Sequence, residues 1–421
     1  MSAKPTIITF VLCDKRGRSS AFAVTIQASK LLKSMPMHLF TEQYGSLFMA
    51  FFCSVGLILL LSRPALAWGW VDRPSTRKHH HSPVPLTGGI AMCIAASVGI
   101  LLLPQRIDAY AIFLLSTWLM ALVGLYDDLH AVRPASRFLF EIVAVLLMAL
   151  GAGIQLNDLG DLLGLGTVAL GLVAIPFTIF SVVGVVNAIN MIDGLDGLAG
   201  GVALIAVLWL VAAAATGPIM HVEDVQTLLV LALAIVGFLC FNLRHPGRAR
   251  ASVFMGDAGS MMLGFALSWF VVHLSQGEQR VIAPITAVWI LGLPLMDTVT
   301  VMLRRIRARQ SPFNPDRQHL HHLLLSRGLS DGQVTARMLA LSAASGALGV
   351  GAWWIGIPES VQFYAFLAAF VIYYRLTSLI WTRLCQERDA AAGLDRRRPM
   401  VNPVSASMSD FSGGDLVTEQ K

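Results

Sequence analysis

Long apolar runs broken by short polar stretches fill most of the chain. Runs of near-spanning length lie at about 45–62, 88–104, 109–126, 136–154, 166–190, 197–216, 225–243, 258–275, 282–303, 334–356 and 360–381. A hydrocarbon layer of about 30 Å is crossed by about 20 apolar residues of helix, and a helix satisfies its own backbone groups there. The pattern therefore predicts an all-α, polytopic integral membrane protein of about eleven transmembrane helices, with no internal repeat. Residues 1–40 hold no such run and no secretory pattern, and read as an N-terminal extension to a membrane domain over 41–385. Residues 386–421 are polar, with Arg396-Arg397-Arg398, and read as a disordered cytoplasmic tail.

Composition agrees with a membrane solvent: 56% of residues are hydrophobic and 13% charged, with mean hydropathy +0.68, where a soluble domain has about 25% charged residues. A net charge of +6 would suggest nucleic acid in a soluble chain, but here the basic residues sit at span ends, so lipid is expected instead. The loops after the first, third, seventh and ninth spans carry Arg63, Arg73, Arg77, Lys78; Arg133, Arg137; Arg244, Arg248, Arg250; and Arg304, Arg305, Arg307, Arg309, Arg317, Arg327, while the alternate loops carry only Arg106 and Arg280. Lys and Arg in short loops favour the cytoplasm. This places the polar loops and the C-terminus inside and the N-terminus outside. Lys4, Lys15, Arg16, Arg18, Lys30 and Lys33 run against that assignment, and the preferred resolution is a working chain that starts near Met35 or Met37. Cys13, Cys53, Cys93, Cys240 and Cys385 are scattered, so neither a disulfide framework nor a paired-cysteine metal site is expected.

Unusual polar clusters all fall on the predicted cytoplasmic side. Asn187, Asn190 and Asp193 recur every third residue at the end of one apolar run, followed by Gly194, Asp196 and Gly197. Ionisable groups at membrane depth are unfavourable unless paired or wet, so their default reading is functional. Asp127-Asp128 closes the third run, and adjacent carboxylates repel unless a cation sits beside them. Gly256-Asp257-Ala258-Gly259-Ser260 opens the eighth run, where Asp257 suits either a divalent metal or the helix N-cap. Gly88-Gly89, behind the basic loop with Lys78, reads as a helix start that offers free N–H groups to an anion. Asp297 lies seven residues before Arg304 on one helical face and reads as a shielded pair or supporting contact. The polar stretch 311–322 supplies Arg317, His319, His321 and His322 as donors to phosphate oxygens, with histidine also able to titrate near neutrality.

Asp127-Asp128, Asn187-x-x-Asn190-x-x-Asp193-Gly194-x-Asp196-Gly197, Gly256-Asp257-Ala258-Gly259-Ser260 and Pro315-Asp316-Arg317-Gln318-His319-x-His321-His322 together resemble the polyprenyl-phosphate N-acetylhexosamine-1-phosphate transferases, over roughly residues 40–385. Within that family the chain is most similar to the bacterial undecaprenyl-phosphate N-acetylglucosamine-1-phosphate transferases. The cell-wall muramyl-pentapeptide branch typically follows its His pair with an aromatic and an acidic residue, whereas Leu323 and Leu324 stand here.

The resemblance implies that undecaprenyl phosphate attacks the β-phosphate of a UDP-N-acetylhexosamine, most simply UDP-GlcNAc, and releases UMP. That step would initiate a cell-surface glycan such as O-antigen at the bacterial inner membrane. It implies Mg²⁺, with Mn²⁺ as an alternative. Asp257 would lead as metal ligand; Asp127 and Asp128 would serve as ligand and base toward the lipid phosphate. Asn187, Asn190, Asp193 and Asp196 would hold nucleotide and metal; His319, His321, His322 and Arg317 the diphosphate; Lys78, Gly88 and Gly89 a phosphate-facing wall. The sequence leaves a homodimer open. A prenyltransferase would want a further Asp after Asp127-Asp128, where Leu129-His130-Ala131 stands. A transporter would place its polar residues at mid-membrane rather than at one face.

Overall fold

The computed structural model describes residues 7–13, 19–25, 44–72, 83–104, 107–130, 132–216, 221–245, 247–311 and 318–391. Lys78, Arg317, Met35, Met37 and residues 392–421 lie outside the described residues. Within the N-terminal extension, where the hydrophobic pattern predicts no element, β1 (Ile7–Cys13) and β2 (Ser19–Thr25) pair antiparallel. The membrane domain follows as α1 (Tyr44–Trp68), the short pair β3 (Val71–Asp72) and β4 (Val84–Pro85), α2 (Gly88–Leu101), α3 (Ile107–His130), α4 (Pro134–Leu146), α5 (Ala174–Ile192) and α6 (Leu198–Thr216). After these come α7 (Val222–Asn242), α8 (Gly256–Ser275), α9 (Pro284–Ile290), α10 (Gly292–Arg307), α11 (Leu320–Ser326), α12 (Asp331–Trp354) and α13 (Glu359–Ala391). The polar tail expected from 386 is thus helical as far as Ala391. Residues up to Tyr374 form one compact unit, and Arg375 onward a second, described here only as the later turns of α13.

Each expected run holds a helix, but the span count differs. Among the described residues nine helices are long and apolar enough to cross a membrane, ten if the bent pair α9–α10 is one span, against the expected eleven. The remaining run is α2, whose 14 residues rise only about 21 Å. The α9–α10 run is not straight: its halves meet at 81°. Gly292 sits at the break, where a Cβ would lie 2.3 Å from Ser345 Oγ of α12. Pro294 falls in the first turn of α10, where its missing N–H would have had no helical partner.

The core is centred on α8, which is apolar on all sides and almost wholly buried, with Phe265, Trp269 and Phe270 inside. Small residues let neighbouring backbones approach it closely, as membrane helix packing requires. A Cβ on Gly89 of α2 would come 2.3 Å from Gly259 N, and one on Gly124 of α3 would come 2.4 Å from Asp257 O. Helix ends sort into two faces. One gathers the C-termini of α3, α5, α7 and α10 with the N-termini of α2, α4, α6, α8 and α12. The other gathers the start of α7, the end of α8 and the start of α9.

Candidate active site

The first of these faces brings the distant clusters together through the start of α8. Asp128, from α3, accepts hydrogen bonds from Asp257 N at 2.9 Å and Ala258 N at 3.3 Å. It therefore caps α8 from another helix, satisfying donors that the first turn leaves unpaired. Gly256 makes this possible: its φ of +69° favours glycine, and a Cβ there would lie 2.4 Å from Asp128 Oδ2. The N-cap position is Met255, without a side-chain cap bond, so Asp257 is not the helix cap. Its carboxylate turns to the site, accepting from Asn190 Nδ2 and lying 3.9 Å from Arg137 Nη1. Asp127 adds a second negative charge beside Asp257. It accepts from Val132 N at 2.7 Å and pairs with Arg137 at 3.3 Å.

Arg137 is the hub of this arrangement, and in the sequence it reads only as a loop charge. Besides the two aspartates it contacts Glu141 at 3.3 Å one helical turn on, and its Nη2 is buried without a partner. Glu141 is 1% exposed, so removing Arg137 would strand a buried charge, a loss of about 3–5 kcal/mol in comparable pairs. Asn187 donates to Glu141 at 2.7 Å and so also supports the Arg137–Glu141 pair. Asn190, by contrast, spans Asp257 and Ser260 Oγ. A charged residue within an apolar run was the available signal for Glu141.

The histidine stretch is not a solvated loop, because His319 and His321 are 6% and 2% exposed. His319 Nδ1 lies 2.8 Å from Asp297 Oδ2, and Asp297 Oδ1 accepts from Leu320 N at 2.9 Å and Tyr373 OH at 2.8 Å. Asp297 therefore supports the histidines, while Arg304 donates to Gln318 O at 3.0 Å. His321 packs so close to Gly194 that a Cβ there would lie 2.5 Å from its Nε2. Burial first, then His322, pushes the His321 imidazole down to about 3, so it is neutral at pH 7 rather than a group titrating near neutrality. Asp193 follows the last turn of α5 as its C-cap residue and is exposed. Its carboxyl is pushed up to about 7, first by desolvation beside the carboxylate cluster and then by the charges of Asp257, Asp128 and Asp196.

Two assignments change. Gly88 N and Gly89 N donate to Phe254 O and Met255 O, each at 3.1 Å, so these amides are not free for an anion. The glycines instead seat α2 against the start of α8. Asp196 accepts from Arg244 Nε at 2.7 Å and Ala251 N at 2.9 Å, while Arg244 also pairs with Asp331 at 2.7 Å. Asn242, which the sequence reading passed over, completes the clamp by accepting from Gly197 N at 2.8 Å and donating to Val253 O at 2.9 Å. Asp196 thus ties three site-face connections together.

From the site a cavity of about 1020 Å³ runs along the helices toward the other face. Its mouth carries Asp127, Arg137, Asn187, Asn190, Arg305, His319, His321 and His322; its length is walled by Phe138, Ile142, Phe177, Val183, Leu295, Phe363 and Phe366; its far end meets Leu156, Leu159 and Leu162. Phe180 and Leu367 on its walls are 75% and 41% exposed, so the groove opens sideways onto the membrane. A polar mouth and a long apolar trough suit an amphiphile with an anionic head.

Residues 110–275, which include the Asp127, Asn190 and Asp257 clusters, match the glycosyl transferase family 4. The chain is 34% identical over 337 residues to an undecaprenyl-phosphate alpha-N-acetylglucosaminyl 1-phosphate transferase of Yersinia pestis, covering 79% of this chain and 90% of that protein. It is 34% identical to one from Haemophilus influenzae (78% and 93% covered) and 32% identical to one from Escherichia coli K12 (74% and 85% covered). The protein is accordingly a polytopic membrane glycosyltransferase by class. Within that class it belongs to the polyprenyl-phosphate N-acetylhexosamine-1-phosphate transferase family.

Proposed function

We propose that this protein transfers N-acetylglucosamine 1-phosphate from UDP-N-acetylglucosamine to undecaprenyl phosphate, with the site on the cytoplasmic side of the bacterial inner membrane. The reaction would start a cell-surface glycan. The observation that carries this reading is the groove: its mouth sets Arg137, Arg305 and the histidines beside the carboxylate cluster, and its apolar trough suits a polyprenyl tail. The names of the relatives supply the same lipid phosphate and the same amino sugar. A lipid-phosphate oxygen attacks the β-phosphorus of the UDP-sugar, the bond from that phosphorus to the UMP oxygen breaks, and its electron pair leaves with UMP. The second pKa of a phosphate monoester is about 6, so the acceptor is largely dianionic at pH 7 and a strong base is unnecessary.

Two polyanions must therefore be held together, which makes positioning and charge the main tasks. Arg137 and Arg305 at the mouth offset phosphate charge. Asp297 holds His319 by Nδ1, leaving Nε2 for a phosphate contact, and neutral His321 supplies a hydrogen bond rather than a charge. The oxygen donors of Asp257 and Asp127 suit Mg²⁺, or Mn²⁺, which binds through one or two carboxylates and substrate phosphates; Asp193, whose charge is felt by the same cluster, can join them. Such an ion would supply neutralisation of the diphosphate. Asp128, committed to the α8 backbone, fixes the position of Asp257. The test is incubation of membranes carrying the protein with undecaprenyl phosphate and radiolabelled UDP-GlcNAc or UDP-GalNAc, with and without Mg²⁺. Lipid-extractable label from UDP-GlcNAc that requires Mg²⁺ is expected; no lipid-linked label from either sugar would overturn the reading.

A further inference from the structure

On the face opposite the candidate active site, the start of α7 and the end of α8 bring three ligand-capable side chains together. Suitable atoms of His221, Asp224 and His273 lie within 4.8 Å of one another. The geometry points to a site for one divalent transition-metal ion of the zinc class, held by His221 Nδ1, Asp224 Oδ2 and His273 Nε2. This site is independent of the transferase reading.

The spacing is the first argument. His221 Nδ1 and His273 Nε2 lie 3.1 and 3.4 Å from the same oxygen, Asp224 Oδ2. A tetrahedral ion with bonds of about 2.0–2.2 Å separates neighbouring ligand atoms by about 3.3–3.5 Å, so two edges are already near their bound length.

Hydrogen bonding gives the second. His221 Nε2 faces the carbonyl of Gln279 at 3.0 Å while its Nδ1 faces the Asp224 carboxylate. A neutral imidazole has one N–H for these two acceptors. If the proton is on Nε2, bonded to Gln279 O, the Nδ1 lone pair points at a carboxylate oxygen, and a cation between them resolves the conflict. A carbonyl on the outer nitrogen is also how metal-bound histidines are commonly oriented.

Asp224 is 5% exposed, so its charge requires compensation. Tyr110 OH donates to its Oδ1 at 3.0 Å, which leaves Oδ2 directed at both histidines. Two imidazoles and one carboxylate suit zinc, copper or nickel more than Mg²⁺. His273 is 39% exposed, leaving room for water as a fourth ligand. The ion would clip α7 to α8, with α3 joined through Tyr110.

Co²⁺ titration of the full-length protein, purified in detergent and stripped with a chelator, tests the proposal. One equivalent of Co²⁺ per chain should give the visible spectrum of a tetrahedral ion, and Zn²⁺ should displace it. His221→Gln and His273→Gln should each weaken binding by more than about 10-fold, and Tyr110→Phe by about 10–100-fold. His322→Ala, at the other face, should leave the spectrum unchanged. Zn²⁺ should also raise the Tm of the native chain but not of His273→Gln. Absence of stoichiometric binding, or a spectrum that persists in both His221→Gln and His273→Gln, would overturn the metal site and leave a hydrogen-bonded cluster around Asp224.

Discussion

Asp257 stands at a helix start without capping it, and Asp128 does the capping. The aspartate at the helix start is turned into the site, whereas the one at the end of a different helix caps it. Asp257→Asn keeps the size of the side chain and removes the charge required by a hard cation. It should remain folded and lose more than about 100-fold in turnover, a loss typical of removing one electrostatic contributor. Near-normal turnover at millimolar Mg²⁺ would move the metal to other carboxylates. Neutral, buried His321 has a different signature. Its folded value near 3 lies below the ordinary 6.5, so the unfolded chain binds the proton more readily between those values. The stability gained by keeping it neutral is complete above pH 6.5 and declines as pH falls toward 3. Asp193 works in the opposite direction over the same range, since its raised carboxyl takes up a proton more readily in the folded chain, so the signature is a difference. Between pH 7.5 and pH 5 the Tm of His321→Gln should shift upward relative to that of the native protein, and parallel slopes would disprove the part of His321 in acid lability.

At the scale of elements, the apolar runs made the helices legible because lipid solvent leaves so little choice of backbone structure. Asp127, Asn190, Asp257 and the histidines were legible as site candidates because each marks the polar end of such a run. Their partners were not. The Arg137–Glu141–Asn187 chain, the Asn242 clamp and the Asp297–His319 pair join separate helices, and no local spacing encodes those meetings. Gly88-Gly89 was ambiguous in principle, since a glycine pair at a helix start serves an anion or a close helix neighbour equally well; the carbonyls of Phe254 and Met255 decide for the neighbour. The 81° break was missed because its apolar run continues through it. Gly124 offers a direct test of the α3–α8 contact. An added methyl would lie 2.4 Å from Asp257 O, and overpacking of this kind typically costs about 1–3 kcal/mol. Gly124→Ala should lower both Tm and turnover, whereas Gly56→Ala on α1, where the space is open, should change neither.

For the membrane domain as a whole, the groove links the carboxylate face to the far side along a continuous apolar wall. Val183 lines that wall one helical turn inward of Asn187. Val183→Trp should raise the KM for undecaprenyl phosphate by about 10-fold or more, equivalent to about 1.4 kcal/mol of lost binding, while leaving the KM for UDP-GlcNAc nearly unchanged. A shortened polyprenyl phosphate should be less affected by the same substitution. Equal responses from both lipids would remove the tail from the groove.

The sideways opening of that groove also sets the units in which the enzyme senses its acceptor. A polyprenyl phosphate reaching it from the bilayer travels in two dimensions, so the governing quantity is its mole fraction among membrane lipids rather than its amount per volume of suspension. Adding inert phospholipid to proteoliposomes at fixed protein and fixed total acceptor should slow the reaction, although nothing in the bulk composition of the acceptor has changed. Adding more buffer should leave the acceptor dependence untouched. For the same reason, a competitor of the lipid is ranked by two steps in series, partition into the bilayer and then lateral entry between the helices, and an assay in free solution would measure neither.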